Sequence, residues 1–462
     1  MEAKSRYNRT MLPDEDTICA LATPPGTGGI GVIRVSGPAA FAIVDRATWR
    51  PNHTPCAGWA GYTLHRADIV HPTGEVIDGV LLAVFHAPRS YTGEDVVEIS
   101  GHGGPVPLRQ ILARLMQCGA RMARPGEFTQ RAFLNGKLDL AQAEAVGDII
   151  AARTEEAHRL ARRQSEGRLS SAVKEIREIV LGVLARIEAS IDFPEDVGEL
   201  DTDACLSELA SAERRVGVLL ATADQGILYR EGLKVVLAGR PNVGKSSLLN
   251  ALLRADRAIV TPVPGTTRDV IEETLNLRGI PLRVVDTAGL RETEDEVEQI
   301  GVARTRASLA DADIAMLILD ATAGETEEDT ALRAPLAGRP HIIVWNKWDL
   351  KPGADPPAEG VVVSAVTGWN LAALEDALAE MALGGRAADT EDTFVTHARH
   401  KQALETAQAR LTDARKTVIA ALPADFVSID VRGVLDALGE ITGETAGEDV
   451  ISEIFARFCI GK

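Results

Sequence analysis

The chain has 462 residues, more than one domain normally holds, and its 45% hydrophobic residues are sufficient for several cores, which are aliphatic because aromatics make up only 4%. Acidic residues outnumber basic ones by 67 to 49, giving a net charge of −18, which argues against general nucleic-acid binding; any RNA contact requires a local basic patch or a partner protein. The five scattered cysteines lack metal-ligand or disulfide spacing, and no apolar run is long enough to span a membrane, so we expect a cytoplasmic protein that does not enter the membrane.

The N-terminal part of the chain has an α+β pattern. Residues 1–16 lack the apolar core of a secretory signal, and we expect a disordered tail there. The segment Gly26–Gly31 matches the dinucleotide-binding spacing G-x-G-x-x-G, but that fingerprint opens a helix, whereas here an apolar strand follows. We therefore interpret it as a glycine turn between strands. The predicted strands are Thr17–Ala22, Gly31–Val35, Val76–Phe85 and Asp95–Ile99, and the predicted helix is Pro107–Cys118.

The pattern becomes helical after Leu138, and a second helical block begins near Arg399. In the first block, apolar residues recur at alternating spacings of four and three, which predicts one long bundle helix ended by Phe193-Pro194. The recurring residues are Leu169, Val173, Ile176, Val180, Val183 and Ile187. Because a strand–loop–helix pattern lies between the two blocks, we predict an α/β domain inserted into an α-helical bundle domain. The predicted domains are residues 1–130, 131–228 for the first helical part, 229–384 for the insertion, and 385–462 for the second helical part.

Residues Gly239–Ser246, GRPNVGKS, form a complete G-x-x-x-x-G-K-S phosphate loop. An apolar strand over 234–238 precedes the loop and a helix over 246–253 follows it, which is the context that this motif requires. Backbone N–H groups of such a loop hold phosphates at a helix N-terminus. We expect Lys245 to reach the β- and γ-phosphate oxygens, as a catalytic residue, and Ser246 to bind Mg²⁺.

Four further motifs identify the nucleotide as GTP. Thr267 stands at switch I spacing, Asp286–Gly289 follows an apolar run, Asn346–Asp349 (NKWD) reads guanine, and Ser364-Ala365 completes the base pocket. We expect Thr267 to bind Mg²⁺ directly and Asp286 to hold it through water. The candidate nucleotide contacts are Asn242, Val243, Gly244, Lys245, Ser246, Ser247, Thr261, Pro262, Val263, Pro264, Gly265, Thr266, Thr267, Asp286, Thr287, Ala288, Gly289, Asn346, Lys347, Asp349, Ser364 and Ala365.

Leu290 occupies the position where Ras-like GTPases have a glutamine that orients the attacking water. Leucine cannot hydrogen-bond water, so another group must do so. Several acidic residues follow, and the residues alone leave the choice among them open; most of them belong to an ordinary solvated segment. These acids are Glu292, Glu294, Asp295, Glu296 and Glu298.

Several longer motifs go beyond the GTPase signature. They are Ala22–Gly26 (ATPPG), Thr92–Asp95 (TGED), Gly101–Gly104 (GHGG), Arg124–Phe128 (RPGEF), Lys137–Glu144 (KLDLAQAE) and, most specific, Phe458–Lys462 (FCIGK). With them, the chain from Asp16 to Lys462 resembles the MnmE (TrmE) family of tRNA-modifying GTPases. The resemblance implies an N-terminal folate-binding domain, a split helical domain, an inserted G domain and a homodimer formed largely by the N-terminal domains. It also implies an FAD- and NADH-using partner, MnmG (GidA), and modification of wobble uridine in tRNA with an aminomethyl or carboxymethylaminomethyl group.

The resemblance also assigns roles to individual residues. K⁺ between paired G domains replaces an arginine finger, with Glu298 as the acid that orients water. The K⁺ ligands are Asn242, Thr261, Val263 and Thr266. The one-carbon donor, 5-formyltetrahydrofolate, contacts Arg34, Glu98 and Lys137, with the terminal Lys462 nearby.

Without the resemblance, several of these residues have ordinary interpretations. Arg34 and Glu98 would be strand-surface charges, and Asn242 a loop residue that tolerates tight backbone angles. A lone cysteine such as Cys459 is usually a small buried apolar residue, whereas the resemblance implies a role in the modification step.

Two other functions remain as alternatives. A ribosome-assembly GTPase would share the nucleotide motifs, but such proteins usually add a basic RNA-binding module. A helical scaffold with a vestigial G domain is disfavoured by the intact phosphate loop.

Overall fold

The computed structural model describes residues 16–51, 54–198, 200–255, 274–285, 312–383 and 393–462. These residues form a seven-stranded sheet with two covering helices, a helical bundle, and a six-stranded sheet with flanking helices. This is the predicted multidomain architecture. Among the described helices, none is apolar over a length that could cross a membrane.

The N-terminal domain is a sheet in the order β3-β4-β5-β6-β2-β1-β7. Helices α1 and α2 pack against one face. Helix α1 and strands β3, β4 and β7 were not predicted. The turn from Gly26 to Gly28 leads into a strand, as predicted, and a Cβ atom at Gly31 would come within 2.6 Å of the Leu108 side chain. The elements are β1 (Ile18–Leu21), β2 (Ile30–Ser36), α1 (Ala40–Ala47), β3 (Thr48–Trp49), β4 (Thr63–Val70), β5 (Val76–Phe85), β6 (Val96–His102), α2 (Pro105–Gln117) and β7 (Arg121–Met122).

Successive side chains along β2 and β6 point to opposite faces of this sheet. Ile33 and Ile99 are paired across the two strands and are fully buried beneath the helices. Their neighbours Arg34 and Glu98 are also a cross-strand pair and therefore lie on the opposite face. The sheet thus presents a charged pair on the side that the helices leave open.

Three helices lead from this domain to the bundle: α3 (Glu127–Leu134), α4 (Leu140–Ala151) and α5 (Glu155–Ser165). The boundary predicted after residue 130 lies within α3. Asp139 and Gln142 form a capping box at the start of α4, and Thr154 caps α5 through the Ala157 N–H.

The bundle contains helices from both ends of the chain. Its long helix is α6 (Arg168–Asp192), and all six of the predicted apolar residues are buried in it. A single core combines residues from the first block, such as Val173 and Leu209, with Leu411 and Leu438 from the second. The predicted meeting of the two blocks around an inserted domain is confirmed. The other bundle helices are α7 (Thr202–Ala221), α8 (Ala223–Glu231), α12 (Ala398–Ile419) and α13 (Ala424–Thr442), whereas α14 (Glu448–Ala456) packs against α3 and α4.

The inserted domain has a sheet in the order β13-β12-β11-β8-β10-β9, parallel except for β9. The first strand of the domain, β8, lies between β10 and β11, so the strand order reverses at β8. In open α/β sheets, ligands bind at the carboxyl ends of the strands beside such a reversal. The elements are β8 (Leu233–Ala238), α9 (Lys245–Ala255), β9 (Thr274–Leu277), β10 (Ile280–Val285), β11 (Ile314–Asp320), α10 (Glu327–Arg333), β12 (His341–Asn346), β13 (Val361–Val362) and α11 (Leu371–Leu383).

Candidate functional sites

The phosphate loop joins β8 to α9, as its motif predicts. Lys245 Nζ donates hydrogen bonds to the carbonyl oxygens of Gly239 (2.7 Å) and Arg240 (2.9 Å), and burial lowers the pKa of this amine. Gly244 has φ +94°, and a Cβ atom there would lie 2.2 Å from Asn346 Nδ2. Only glycine fits this point, so the loop can fold closely around a phosphate with a lysine already beside it.

The base-reading loop is held to the phosphate loop by Asn346. This side chain is buried; its Nδ2 donates to the Val243 carbonyl (2.9 Å) and its Oδ1 accepts from the Ala365 N–H (3.0 Å). Lys347 has φ +63°, and its Nζ lies 2.6 Å from Asp320 Oδ2 at the end of β11. Asn346 therefore connects the phosphate loop with the two segments predicted to bind guanine.

The other residues of the base pocket differ in exposure. Ser364 is fully buried and its Oγ accepts from the Thr367 N–H, which shapes the turn next to Ala365. Asp349 lies in a short 3₁₀ turn and is exposed. Although burial alone raises it, the pKa of Asp320 falls to about 2 beside the Lys347 ammonium group, so this pair is charged and stabilises the loop.

A second candidate site lies on the open face of the N-terminal sheet. Arg34 donates from Nε (2.9 Å) and Nη2 (2.7 Å) to Glu98 Oε1. The guanidinium lies 5.2 Å from the Tyr91 ring centre and 5.6 Å from that of Phe128. Its Nη1 is buried and has no hydrogen-bond partner among the described residues. Because buried polar groups are normally paired, this donor fits an acceptor from a ligand.

The C-terminal segment reaches the same face. The Phe128 N–H donates to the Lys462 carbonyl (3.2 Å), and the Gly126 N–H lies 3.4 Å from the Cys459 carbonyl. Burial, followed by the charge of Arg34, lowers the pKa of the Lys462 amine. Cys459 is exposed, whereas the other four cysteines are buried. The structure thus brings Lys462 beside Arg34.

Lys137 lies at the margin of this face. Its Nζ donates to the Pro88 carbonyl (3.0 Å), on the loop that carries Tyr91. Tyr91 was not among the predicted contacts and Phe128 only ended a quoted motif. An aromatic residue carries no polar signal from which such a role could be inferred.

Comparison with known proteins identifies the family of this chain. Residues 17–137 match the family model described as GTP-binding protein TrmE N-terminus, and residues 140–459 match the MnmE helical domain. A protein named tRNA modification GTPase MnmE from Heliobacterium modesticaldum is 47% identical over 466 residues, covering 97% of this chain and 99% of that protein. A protein of the same name from Chloroflexus aurantiacus is 49% identical over 458 residues, covering 97% and 100% of the two chains. The chain belongs to the MnmE family.

Part of the GTP site predicted for this MnmE family member lies outside the described residues. Of the candidate contacts that are described, Ser246 is partly buried and Ser247 exposed in the first turn of α9. Asn242 is exposed, with φ +62°. The predicted residues outside the described ranges are Thr261, Pro262, Val263, Pro264, Gly265, Thr266, Thr267, Asp286, Thr287, Ala288, Gly289 and Glu298.

A buried charged cluster, which sequence reasoning missed, lies where the G domain of this MnmE protein joins the bundle. Glu144 on α4 accepts from Arg399 Nη2 (2.8 Å) and His400 Nε2 (2.8 Å). Burial by itself raises the pKa of Glu144, but the neighbouring His400 and Arg399 lower it. His400 is fully buried, which lowers its pKa to about 4.

One turn further along α4, Asp148 extends this cluster. It accepts from Arg230 Nε (2.7 Å) and from His397 Nε2 (2.8 Å). Arg230 is near the end of α8, just before the chain enters the G domain, and His397 is just after the chain returns. Both joins are therefore bound to one helix.

Proposed function

We propose that this chain is a potassium-stimulated GTP hydrolase that modifies the wobble uridine of tRNA in the cytoplasm. The added group is an aminomethyl or carboxymethylaminomethyl group at C5, and an FAD-dependent partner of the MnmG (GidA) type completes the assembly. The observation that carries this proposal is the Arg34 site of the N-terminal domain, because a GTPase that acts only as a molecular switch does not need such a site. Its buried unpaired donor and the exposed Cys459 occur in the same chain as a complete phosphate loop.

In the GTPase step, Lys245 binds the β- and γ-phosphate oxygens, while Ser246 and Thr267 bind Mg²⁺. When bound, Mg²⁺ and K⁺ supply positive charge that stabilises the charge developing on the transferred phosphoryl group. Asn242 would contribute its side-chain oxygen to K⁺, since this side chain is exposed. Glu298 orients the attacking water in place of the glutamine that Leu290 replaces.

The folate site uses groups that the open face already presents. The unpaired Arg34 Nη1 donates to an acceptor of 5-formyltetrahydrofolate, and Glu98 accepts from its donor-rich pterin ring. Lys137 and Lys462 balance the charge of its carboxylates. The Tyr91 and Phe128 rings near Arg34 support binding of a flat heterocycle.

A homodimer through the N-terminal domains is supported by apolar residues on neighbouring strands of the sheet. Leu64 on β4 is 68% exposed and Leu81 on β5 is 47% exposed. Both point away from the helix-covered core, so a second subunit would remove them from water.

The deciding experiment compares GTP turnover in KCl and in NaCl for the wild type, Glu298→Ala and the matched control Glu296→Ala. We expect turnover to be at least tenfold faster in KCl, and Glu298→Ala to abolish it without changing affinity for a fluorescent GDP analogue. Equal rates in the two salts would contradict the proposal for K⁺. A strain lacking this activity, complemented with the chain, should regain the modified wobble uridine. Binding to ribosomal subunits without any folate affinity would instead favour the ribosome-assembly alternative.

A further inference from the structure

A cleft separates the helical domain from the G-domain sheet, and none of its lining residues is a candidate contact for GTP or folate. Its volume is about 360 Å³, within the usual range for ligand sites. Arginines are prominent in its lining. The charged residues that line it are Arg153, Arg230, Arg283 and Arg457, with Asp148 and Glu231.

The acidic residues of this arginine cleft are already engaged by one arginine. Arg230 donates to Asp148 Oδ1 (2.7 Å) and to Glu231 Oε1 (3.1 Å). Through these contacts Arg230 helps to hold the two domains together. They leave the cleft with an excess of positive charge.

Arg283 and Arg457 supply this excess. Arg283 Nε on β10 is buried and, within the described part of the chain, has no hydrogen-bond partner. Arg457 is 76% exposed and pairs only with the equally superficial Glu453 within the described residues. A buried guanidinium nitrogen without a partner is costly, so Arg283 fits an anionic acceptor supplied by a ligand. The exposed ion pair of Arg457 is weak, so this guanidinium can contact the same ligand.

We propose that the arginine cleft binds phosphate groups of the tRNA backbone. The inference rests on the proposed function, because it assumes that this chain contacts tRNA. With a net charge of −18, the chain repels RNA except where positive charge is concentrated. Arginine is suited to this role because its planar guanidinium can bind two phosphate oxygens together.

The position of the cleft also fits a tRNA contact. Arg457 follows directly after α14, two residues before the exposed Cys459, so the cleft adjoins the segment that reaches the Arg34 site. Arg283 belongs to the G-domain sheet, whereas Arg457 belongs to the helical domain. A phosphate bound between them bridges the two domains next to the candidate modification site.

The test measures binding of the full-length protein to a fluorescein-labelled tRNA transcript by anisotropy, at several KCl concentrations and with GDP present. The variants are Arg283→Gln, Arg457→Gln and both together. The matched control is Arg432→Gln, whose side chain is 63% exposed on the bundle and pairs with Glu188. Each cleft variant should lower affinity about 3- to 10-fold and reduce the salt slope by about one, whereas the control should change neither.

A charge-retaining variant distinguishes the loss of charge from the loss of packing. A comparison with inorganic phosphate distinguishes binding of RNA from binding of a small anion. Arg283→Lys retains the charge and should keep the wild-type salt slope, and affinity for a fluorescent GDP analogue should be unchanged in every variant. Unchanged tRNA affinity and slope in the double variant would overturn the assignment. Loss of inorganic phosphate binding without loss of tRNA affinity would overturn it as well, since the cleft would then hold only a small anion.

Failure of this inference is distinguishable from failure of the proposed function. If the wild type restores the modified uridine in cells but the double variant binds tRNA normally, only the cleft assignment is wrong. If the wild type neither binds tRNA nor restores the nucleoside, the proposed function is wrong.

Discussion

Asn346 combines two tasks that can be separated by mutation. It is predicted to read guanine, and its side chain also joins the Val243 carbonyl to the Ala365 N–H. Asn346→Ala should therefore weaken nucleotide binding, and it should also make local opening of the phosphate loop easier in the nucleotide-free protein. Asp349→Ala is the matched control, because Asp349 is exposed and should affect only the bound base.

The size of the effect follows from the groups that the mutation leaves unpaired. Asn346 is 2% exposed, so water cannot replace its side-chain amide without rearrangement. Each buried partner left without a hydrogen bond costs about 1–3 kcal/mol, which gives about 2–6 kcal/mol for the carbonyl and the N–H together. Local opening of the phosphate loop should become easier by this amount, and amide exchange in it about 30-fold to about 10⁴-fold faster.

The assay is hydrogen–deuterium exchange of the nucleotide-free protein, read on peptides from residues 239–250, with titration of a fluorescent GDP analogue. Asn346→Ala should accelerate exchange and weaken binding, whereas Asp349→Ala should weaken binding alone. Equal protection of the phosphate loop in the two variants would refute the structural role of Asn346. Unchanged nucleotide affinity in Asp349→Ala would refute its role in reading guanine.

Three further predictions concern the bundle and the charged cluster. Leu411→Ala should destabilise the protein by about 2–5 kcal/mol in urea unfolding, because Leu411 is fully buried, whereas the exposed Leu181→Ala should stay within about 0.5 kcal/mol. Glu144→Gln should cost about 2–4 kcal/mol by leaving a buried arginine–histidine pair without its carboxylate, and an unchanged urea midpoint would contradict this. His400 has a pKa of about 4 when folded against about 6.5 when unfolded, so the unfolded state gains the proton first as pH falls. Stability present above pH 6.5 should therefore fall by about 2 kcal/mol between pH 7 and pH 5, and this loss should be smaller in His400→Gln.

The G domain was predictable because its signals are local. A phosphate loop needs a strand before it and a helix after it, and both were readable from the apolar run before Gly239 and the helical pattern after Lys245. The long helix α6 was predictable for a similar reason, since spacings of three and four place apolar residues on one face. All six of those residues are buried in the bundle.

The remaining features depend on contacts between distant segments. Glu144 and His400 are 256 positions apart, and nothing near either residue indicates that they meet. The resemblance named Arg34 and Glu98, but their unpaired nitrogen and the nearby Tyr91 ring depend on how the sheet, a loop and the C-terminus come together. Helix α1 is short and amphipathic, and its pattern between Gly37 and Pro51 was too brief to separate from a loop.

The cluster on α4 bears on how an inserted domain moves. Domains joined within one chain usually move about their connecting segments. Here Asp148 binds Arg230 at the entry and His397 at the exit, so both connections are attached to the same helix. The start of α4 is also fixed, because Leu140 packs with Phe455 of α14. Any movement of the G domain about these two contacts therefore has to break them or carry α4 with it.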